Sequence, residues 1–426
     1  MNESRTHGAM NLLFVHQNLG AHGGAEANIL LTATELKSRG HKVALLHASS
    51  TGRSEAGWRA VFSECFQLPG KNVLPFVDSV LEEFVPNVIY LHNLADLELI
   101  ESLLLSGVPV ARMVHDHAMY CMRGYKYNYF TRAICTRPAS LACVFPCLAC
   151  VTKNPDRSGL PVKWTSYADK RKEIVLNRQC QRLVVYSRYS RNELIGNGFD
   201  PVKIHIHVPI RCWGAKGPVS SFSDRNLILF AGQIIRGKGV DLLLKALARI
   251  RTPFECLILG DGNHKSYCQK LCAKLGLNDR VQFRGFIPQE ELQQYYLDAS
   301  VFAVSSVWPE PFGMVGPEAM RYGLPVVAFD AGAIQEWLID GENGFLVPWM
   351  DIDAFAARTE ELLSNKSLAR QMGRNGLERV NQQYDSVRQI DGLENLFREM
   401  GSQPNVIESS YEKTTCELFD TTAISG

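Results

Sequence analysis

NLLFVHQNLGAHGGAEANILLTATELKSRGHKVALLHA (residues 11–48) reads as strand, loop, helix and strand. The apolar run NLLFVH at 11–16 leads into a glycine-containing loop, Asn18–Gly24. Ile29, Leu30, Ala33 and Leu36 then share one side of a helix that closes at Arg39-Gly40, and HKVALLHA (His41–Ala48) is a second strand. Such a unit crosses over right-handedly and builds a parallel sheet. Working outward, Asn87–Leu91, Val108–Val114 and Arg182–Ser187 are further buried-strand candidates, which makes residues 10–208 one α/β domain. Residues 209–224 read as a linker, rich in Gly, Ser and Pro from Arg211 onward.

A second series opens with the strand Asn226–Ala231 and alternates through the helices Gly239–Ile250, His264–Leu275, Gln289–Asp298 and Val315–Tyr322. Between them lie the strands Glu255–Gly260, Val281–Gly285, Val301–Ser305 and Pro325–Phe329. This alternation specifies a doubly wound sheet, so residues 225–380 are expected to form a second Rossmann-like domain facing the first across a cleft. Residues 374–400 are helical and rich in charge, with 381–400 a candidate to pack back on the first domain. The polar, aperiodic stretch 401–426 is expected to be disordered.

With 426 residues, 46% hydrophobic and 21% charged, the chain has room for two or three packed domains. It is not of disordered, collagen-like or disulfide-stapled composition. No apolar run approaches the ~18 residues of a membrane-spanning helix. Met1–Met10 is polar, unlike a secretory signal, so a cytoplasmic protein is expected. The net charge of +1 conceals an asymmetry: residues 112–191 carry 15 basic side chains against Asp116, Asp156, Asp169 and Glu173. That excess suits an anionic partner, either acidic lipid at the inner membrane face or a phosphate-bearing substrate, although a loop-rich insertion can also accumulate it by chance. No nucleic-acid partner is expected.

Three constellations sit at strand-to-helix junctions. In His22-Gly23-Gly24-Ala25-Glu26 the glycines allow a close backbone approach, and the helix that follows presents N–H groups to an anion. The loop is not GxGxxG, and the second strand ends His47-Ala48-Ser49 without the acid a dinucleotide ribose needs, which argues against a dehydrogenase. In Gly232–Gly239 (GQIIRGKG), Arg236 and Lys238 beside a glycine turn form a candidate diphosphate seat, although solvated cations on a surface loop would read the same. It is not a Walker A loop. In Ser305–Met320 (SSVWPEPFGMVGPEAM), Glu310 lies in a proline-closed loop, Gly313 marks the helix start, and Glu318 lies one turn inside it. The two carboxylates can bracket a ligand, because each accepts two hydrogen bonds from neighbouring sugar hydroxyls. Alternatively Glu310 is solvated and Glu318 favours the helix dipole, and an acid–base pair also stays open.

Glu310 and Glu318 match the E-x7-E pattern of the retaining glycosyltransferases of family 4, which have the GT-B fold, and the chain resembles that family from Asn11 to about Asn381. Gly23-Gly24 resembles its GG loop, Lys238-Gly239 its KG loop, Leu259-Gly260-Asp261-Gly262 its strand-end turn, and Leu338–Pro348 (LIDGENGFLVP) its downstream segment. The resemblance implies a UDP- or GDP-linked sugar bound mainly on the second domain, with Gly23 and Gly24 reaching it from the first. Arg236 and Lys238 would then neutralise the diphosphate and Glu318 hold the ribose. Glu310 with the backbone of Gly313, Met314 and Val315 would hold the sugar, and His115 would stand beside the reacting carbon. A saccharide or lipid-linked acceptor would enter over the first domain, in cell-surface polysaccharide assembly. No cofactor would be needed for catalysis. A nucleotide-sugar epimerase or phosphorylase of the same fold, or a non-catalytic sugar-binding assembly partner, are the alternatives. The sequence departs from the family at Gln233, where arginine is frequent, and at Ala331 and Ala333, where glycines are.

Cys121, Cys135, Cys143, Cys147 and Cys150 crowd into a basic insertion at about 117–165. Four of the five could hold a structural zinc that stiffens a loop with little core of its own, or all could be reduced thiols under its aromatic residues.

Overall fold

The computed structural model describes residues 8–20, 23–145, 147–153, 162–209, 217–222, 225–288 and 291–402. His22, most of the linker and the end of the chain from 403, which the sequence reading marks as disordered, lie outside the described residues.

The first domain is a seven-stranded sheet. Its strands are β1 (Asn11–Leu19), β2 (Lys42–Ser50), β3 (Glu64–Gln67), β4 (Val88–Leu91), β5 (Val110–Met113), β8 (Arg182–Val185) and β9 (Ile204–Ile206). Between β5 and β8 the insertion contributes a small antiparallel hairpin, β6 (Val151–Lys153) with β7 (Val162–Trp164). The sheet order is β3-β2-β1-β4-β5-β8-β9, all parallel. Leu12, Leu13, Phe14 and Val15 are wholly buried, as expected of a central strand covered by helices on both faces. The second domain holds β10 (Leu227–Ala231), β11 (Glu255–Leu259), β12 (Val281–Gly285), β13 (Val301–Val304), β14 (Val326–Phe329) and β15 (Gly344–Val347). Their order is β12-β11-β10-β13-β14-β15, again parallel. In each sheet the order reverses beside the opening strand, so the crevice beyond the carboxyl ends of β1 and β10 is where a ligand belongs.

The strands missed by the sequence reading are short or at sheet edges. β3, β6, β7 and β9 have three or four residues each, and β15 hides inside the Leu338–Pro348 segment. The predicted 374–400 helix is two helices, Lys366–Gln383 and Ser386–Ser402. The second crosses to the first domain, where Phe397 packs edge-on against Tyr90 at 5.0 Å and Glu394 accepts from Arg39 at 3.0 Å. Among the described residues no helix is long and apolar enough to cross a membrane.

Gly239 shows why the turn after β10 needs glycine. Its φ is +65°, and a Cβ there would lie 1.9 Å from the Ser305 carbonyl oxygen. The loop bearing Lys238 is thereby pressed onto the end of β13, and Ser305 Oγ donates to the Lys238 carbonyl at 2.9 Å.

Candidate active site

Lys238 and Glu310 come from loops after different strands, and the fold brings them together. Lys238 Nζ lies 2.6 Å from Glu310 Oε1 and 5.0 Å from the centre of the Trp308 ring. Ser306 Oγ donates to the same carboxylate oxygen at 2.5 Å. The Glu310 backbone is held as firmly: its N–H donates to the Ala331 carbonyl at 3.1 Å, and its carbonyl accepts from Ala333 at 2.9 Å. The alanines that depart from the family's glycines thus supply backbone bonds to this residue. Gly313, Met314 and Val315 follow at the start of the helix Val315–Arg321, with Gly313 at φ +81°. Glu318 is buried one turn inside.

The two domains meet around this loop. His117 Nε2 lies 2.6 Å from the Pro309 carbonyl oxygen, and Ser187 Oγ donates to that of Pro311 at 2.5 Å. Glu310 is therefore flanked by two carbonyls, both held by the first domain. Burial pushes the His117 pKa down to about 4, so the ring is neutral near pH 7. Since a carbonyl only accepts, Nε2 carries the proton and Nδ1 accepts from the Tyr120 hydroxyl at 2.7 Å. Glu336 reinforces the contact by accepting from the N–H groups of Arg188 and Tyr189 at 2.9 and 2.8 Å, at the N-terminus of the helix Arg188–Gly196. Gly23 and Gly24 open the helix Gly24–Ser38, and Glu26 accepts from the Gly23 N–H at 2.9 Å, the carboxylate half of a capping box. A Cβ on Gly23 would lie 3.5 Å from Gln233 Nε2, so the glycine loop faces the turn after β10 across the crevice.

Arg236 and His115 have partners that the sequence did not indicate. The Arg236 guanidinium lies over the Tyr129 ring at 4.8 Å and donates to the Phe130 carbonyl at 3.3 Å. It is turned to the insertion, while Lys238 faces Glu310. The aromatic residues of the insertion outcompete solvent for this cation. Both ring nitrogens of His115 are taken up inside the first domain. Nδ1 lies 2.7 Å from the Tyr186 hydroxyl and Nε2 lies 2.9 Å from His92 Nδ1. Burial drives the His115 pKa to about 3, so its ring is neutral near pH 7. Sequence reasoning also missed His92, Tyr186, His117 and Ser187. The doublet His115-Asp116-His117 was a usable signal for His117, whereas the others bond across 23 to 124 residues of sequence with no spacing rule.

The five cysteines share the insertion, four of them close together around Cys143. All are half-buried and unbridged, and among the described residues no three His, Cys, Asp or Glu side chains are placed to hold a metal ion. Burial pushes the Cys143 thiol up, and Cys121, Cys147 and Cys135 lie close enough to push it further. Elemental analysis of chelator-free protein decides between zinc and reduced thiols: near-stoichiometric zinc would support the metal, and less than about 0.2 zinc per chain would end that reading.

Comparison with known proteins agrees with this architecture. Residues 22–207 match the model of "Glycosyltransferase Family 4", and residues 216–379 that of "Glycosyl transferases group 1". The chain belongs to the family 4 glycosyltransferases, of GT-B architecture. An uncharacterized glycosyltransferase of Methanocaldococcus jannaschii is 30% identical over 198 residues, 45% of this chain and 50% of its own. A lipopolysaccharide core biosynthesis glycosyltransferase of Rhizobium meliloti is 32% identical over 38% of this chain and 46% of its own. A GDP-mannose-dependent phosphatidylinositol monomannoside mannosyltransferase of Mycolicibacterium smegmatis is 33% identical over 35% and 42%. The chain thus spans half or less of the length of these curated relatives. Among solved structures, Anabaena HepE in complex with UDP and glucose superposes with a TM-score of 0.70 at 18% identity, covering 92% of this chain and 100% of that one. The apo lipopolysaccharide outer core galactosyltransferase WaaB gives 0.63 at 16%, covering 92% and 100%. At such identities the likeness shows the shared fold.

Proposed function

We propose that the protein transfers a sugar, with retention of anomeric configuration, from a UDP- or GDP-linked donor to a saccharide or lipid-linked acceptor in cell-surface polysaccharide assembly. The observation that carries this reading is the Lys238–Glu310 pair, set at the crevice between the domains and between two clamped proline carbonyls. The Lys238 ammonium has three N–H donors, and one bond to Glu310 leaves two for a diphosphate. Glu310 takes both of its bonds on Oε1, which leaves Oε2 to accept from sugar hydroxyls. Glu318 holds the ribose, and the leading N–H groups at Gly313–Val315, which a helix cannot pair internally, face the phosphates. In the transfer, the bond between the anomeric carbon and the diphosphate oxygen breaks as the acceptor oxygen bonds to the same face. The departing phosphate takes the acceptor proton. The enzyme's part is to orient the reactants and stabilise the growing charge on the leaving group. The GDP-mannose-dependent relative and the neighbour solved with UDP support a nucleotide-sugar donor and leave both bases in play.

A thermal-shift panel of nucleotides and nucleotide sugars tests the reading. A matched donor at ~100 times its Kd adds about 2.7 kcal/mol of stability, and Glu318→Ala should abolish most of that gain. Stabilisation by no nucleoside diphosphate, or by all of them equally in Glu318→Ala and wild type, would contradict the assignment. An epimerase would consume its donor with no acceptor present, which the same preparations can show.

A further inference from the structure

The basic insertion has two unlike ends. Its inner end is engaged with the rest of the molecule. Arg132 makes a buried two-pronged bond to Asp241 at 3.0 and 2.9 Å, and Lys126 pairs with Glu193 at 2.8 Å. Tyr127 packs where a Cβ on Gly237 would meet its ring at 3.3 Å. The outer end consists of the turns from Leu141 to Val151 and the β6–β7 hairpin. Val151 pairs with Trp164 across that hairpin, and the Thr165 N–H donates to the Cys150 carbonyl at 2.8 Å. From this one knob Leu141, Phe145, Leu148 and Trp164 stand out at 67, 78, 48 and 74% exposure.

Single exposed apolar residues are ordinary, but four large ones on one short loop-and-hairpin unit are not. Trp and Phe are also the side chains that settle at the boundary between headgroups and acyl chains. The segment that carries them is basic in sequence. Residues 117–165 hold seven Lys or Arg and the lone acid Asp156. Arg123, Lys126 and Arg132 are used internally, whereas Arg137 is exposed, and the helix Tyr167–Arg178 that follows the hairpin carries the exposed Asp169 and the half-buried Arg171.

We propose that the outer end of the insertion is a membrane-docking surface, which sets Phe145, Trp164, Leu141 and Leu148 into an anionic lipid bilayer while the surrounding cations neutralise its headgroups. A protein partner would favour an apolar patch depleted of charge at its centre, whereas cations interleaved with apolar tips complement acidic lipid. The inner end lies on the loop that carries Arg236 and Lys238, so docking would hold the crevice close to the bilayer surface. The inference goes beyond the transfer reading and stands or falls separately from it.

Co-sedimentation of the full chain with vesicles decides the matter, using phosphatidylcholine alone against phosphatidylcholine with about 30% phosphatidylglycerol. The anionic vesicles should bind the protein and the neutral ones should not, with release by about 0.5 M salt. The double variant Phe145→Ser/Trp164→Ser should bind at least about tenfold more weakly and keep the wild-type thermal shift with donor nucleotide. As a check that needs no well-behaved double variant, brominated lipid should quench tryptophan fluorescence in the wild type and less in Trp164→Phe. Absence of salt-sensitive binding by the wild type, or equal binding by the double variant, would overturn the proposal. So would a wild-type dimer that the double variant converts to monomer without any vesicle binding, which would assign the knob to a second copy of the chain.

Discussion

Glu310→Gln should lower turnover by about 10²–10³-fold while leaving affinity for UDP or GDP unchanged or tighter. The amide keeps the shape of the carboxylate and can still accept from Ser306, but it no longer carries the charge that faces Lys238 at 2.6 Å. Lys238 is then unopposed and freer to turn to a diphosphate, so ground-state binding does not suffer. What is lost is the anionic acceptor that positions the sugar while charge separates at its anomeric carbon. The split between intact binding and lost turnover is the diagnostic part. Steady-state kinetics with calorimetric titration of the nucleotide measures both, and equal losses in the two would point to a purely structural role for Glu310.

Lys238→Ala should act the other way, weakening nucleoside diphosphate binding by about 10–10²-fold, the worth of a charge-assisted hydrogen bond. Turnover should fall as well, because negative charge on the leaving diphosphate grows toward the transition state. The substitution also leaves Glu310 buried with only Ser306 as a side-chain partner, at a cost of about 1–3 kcal/mol in stability. Removing both charges together should therefore destabilise less than the two single changes added, since the pair is one interacting unit. Denaturant melts of the three variants measure this; strict additivity would show that the contact at 2.6 Å carries no coupling.

The central strands were legible because a parallel strand covered on both faces must be apolar throughout, and NLLFV, VALLH and LILFA say so without help. The edge strands were not: IHI at β9 and ECFQ at β3 are short and half-exposed, and their pattern fits a loop as well. Glu310, Glu318 and Lys238 were visible because strand-to-helix junctions carry ligand chemistry in this class of sheet. The clamp around Glu310 was invisible, since His117 and Ser187 reach backbone carbonyls 192 and 124 residues away, and any residue type offers a carbonyl. The partner of Arg236 was hidden for a related reason. Its spacing from Lys238 put both cations on one turn, but the partner that claims it, the Tyr129–Phe130 segment, arrives from the other domain. Spacing marked the cysteines as a cluster, and the fold places Cys121, Cys135 and Cys147 near Cys143, though neither shows whether they hold an ion.

A crystal soaked with UDP or GDP tests the central claim most directly. The account predicts the two phosphates lodged between Lys238 Nζ and the backbone of Gly313–Val315, with the ribose against Glu318. Nucleotide bound away from these groups, with the Lys238–Glu310 contact undisturbed, would contradict it.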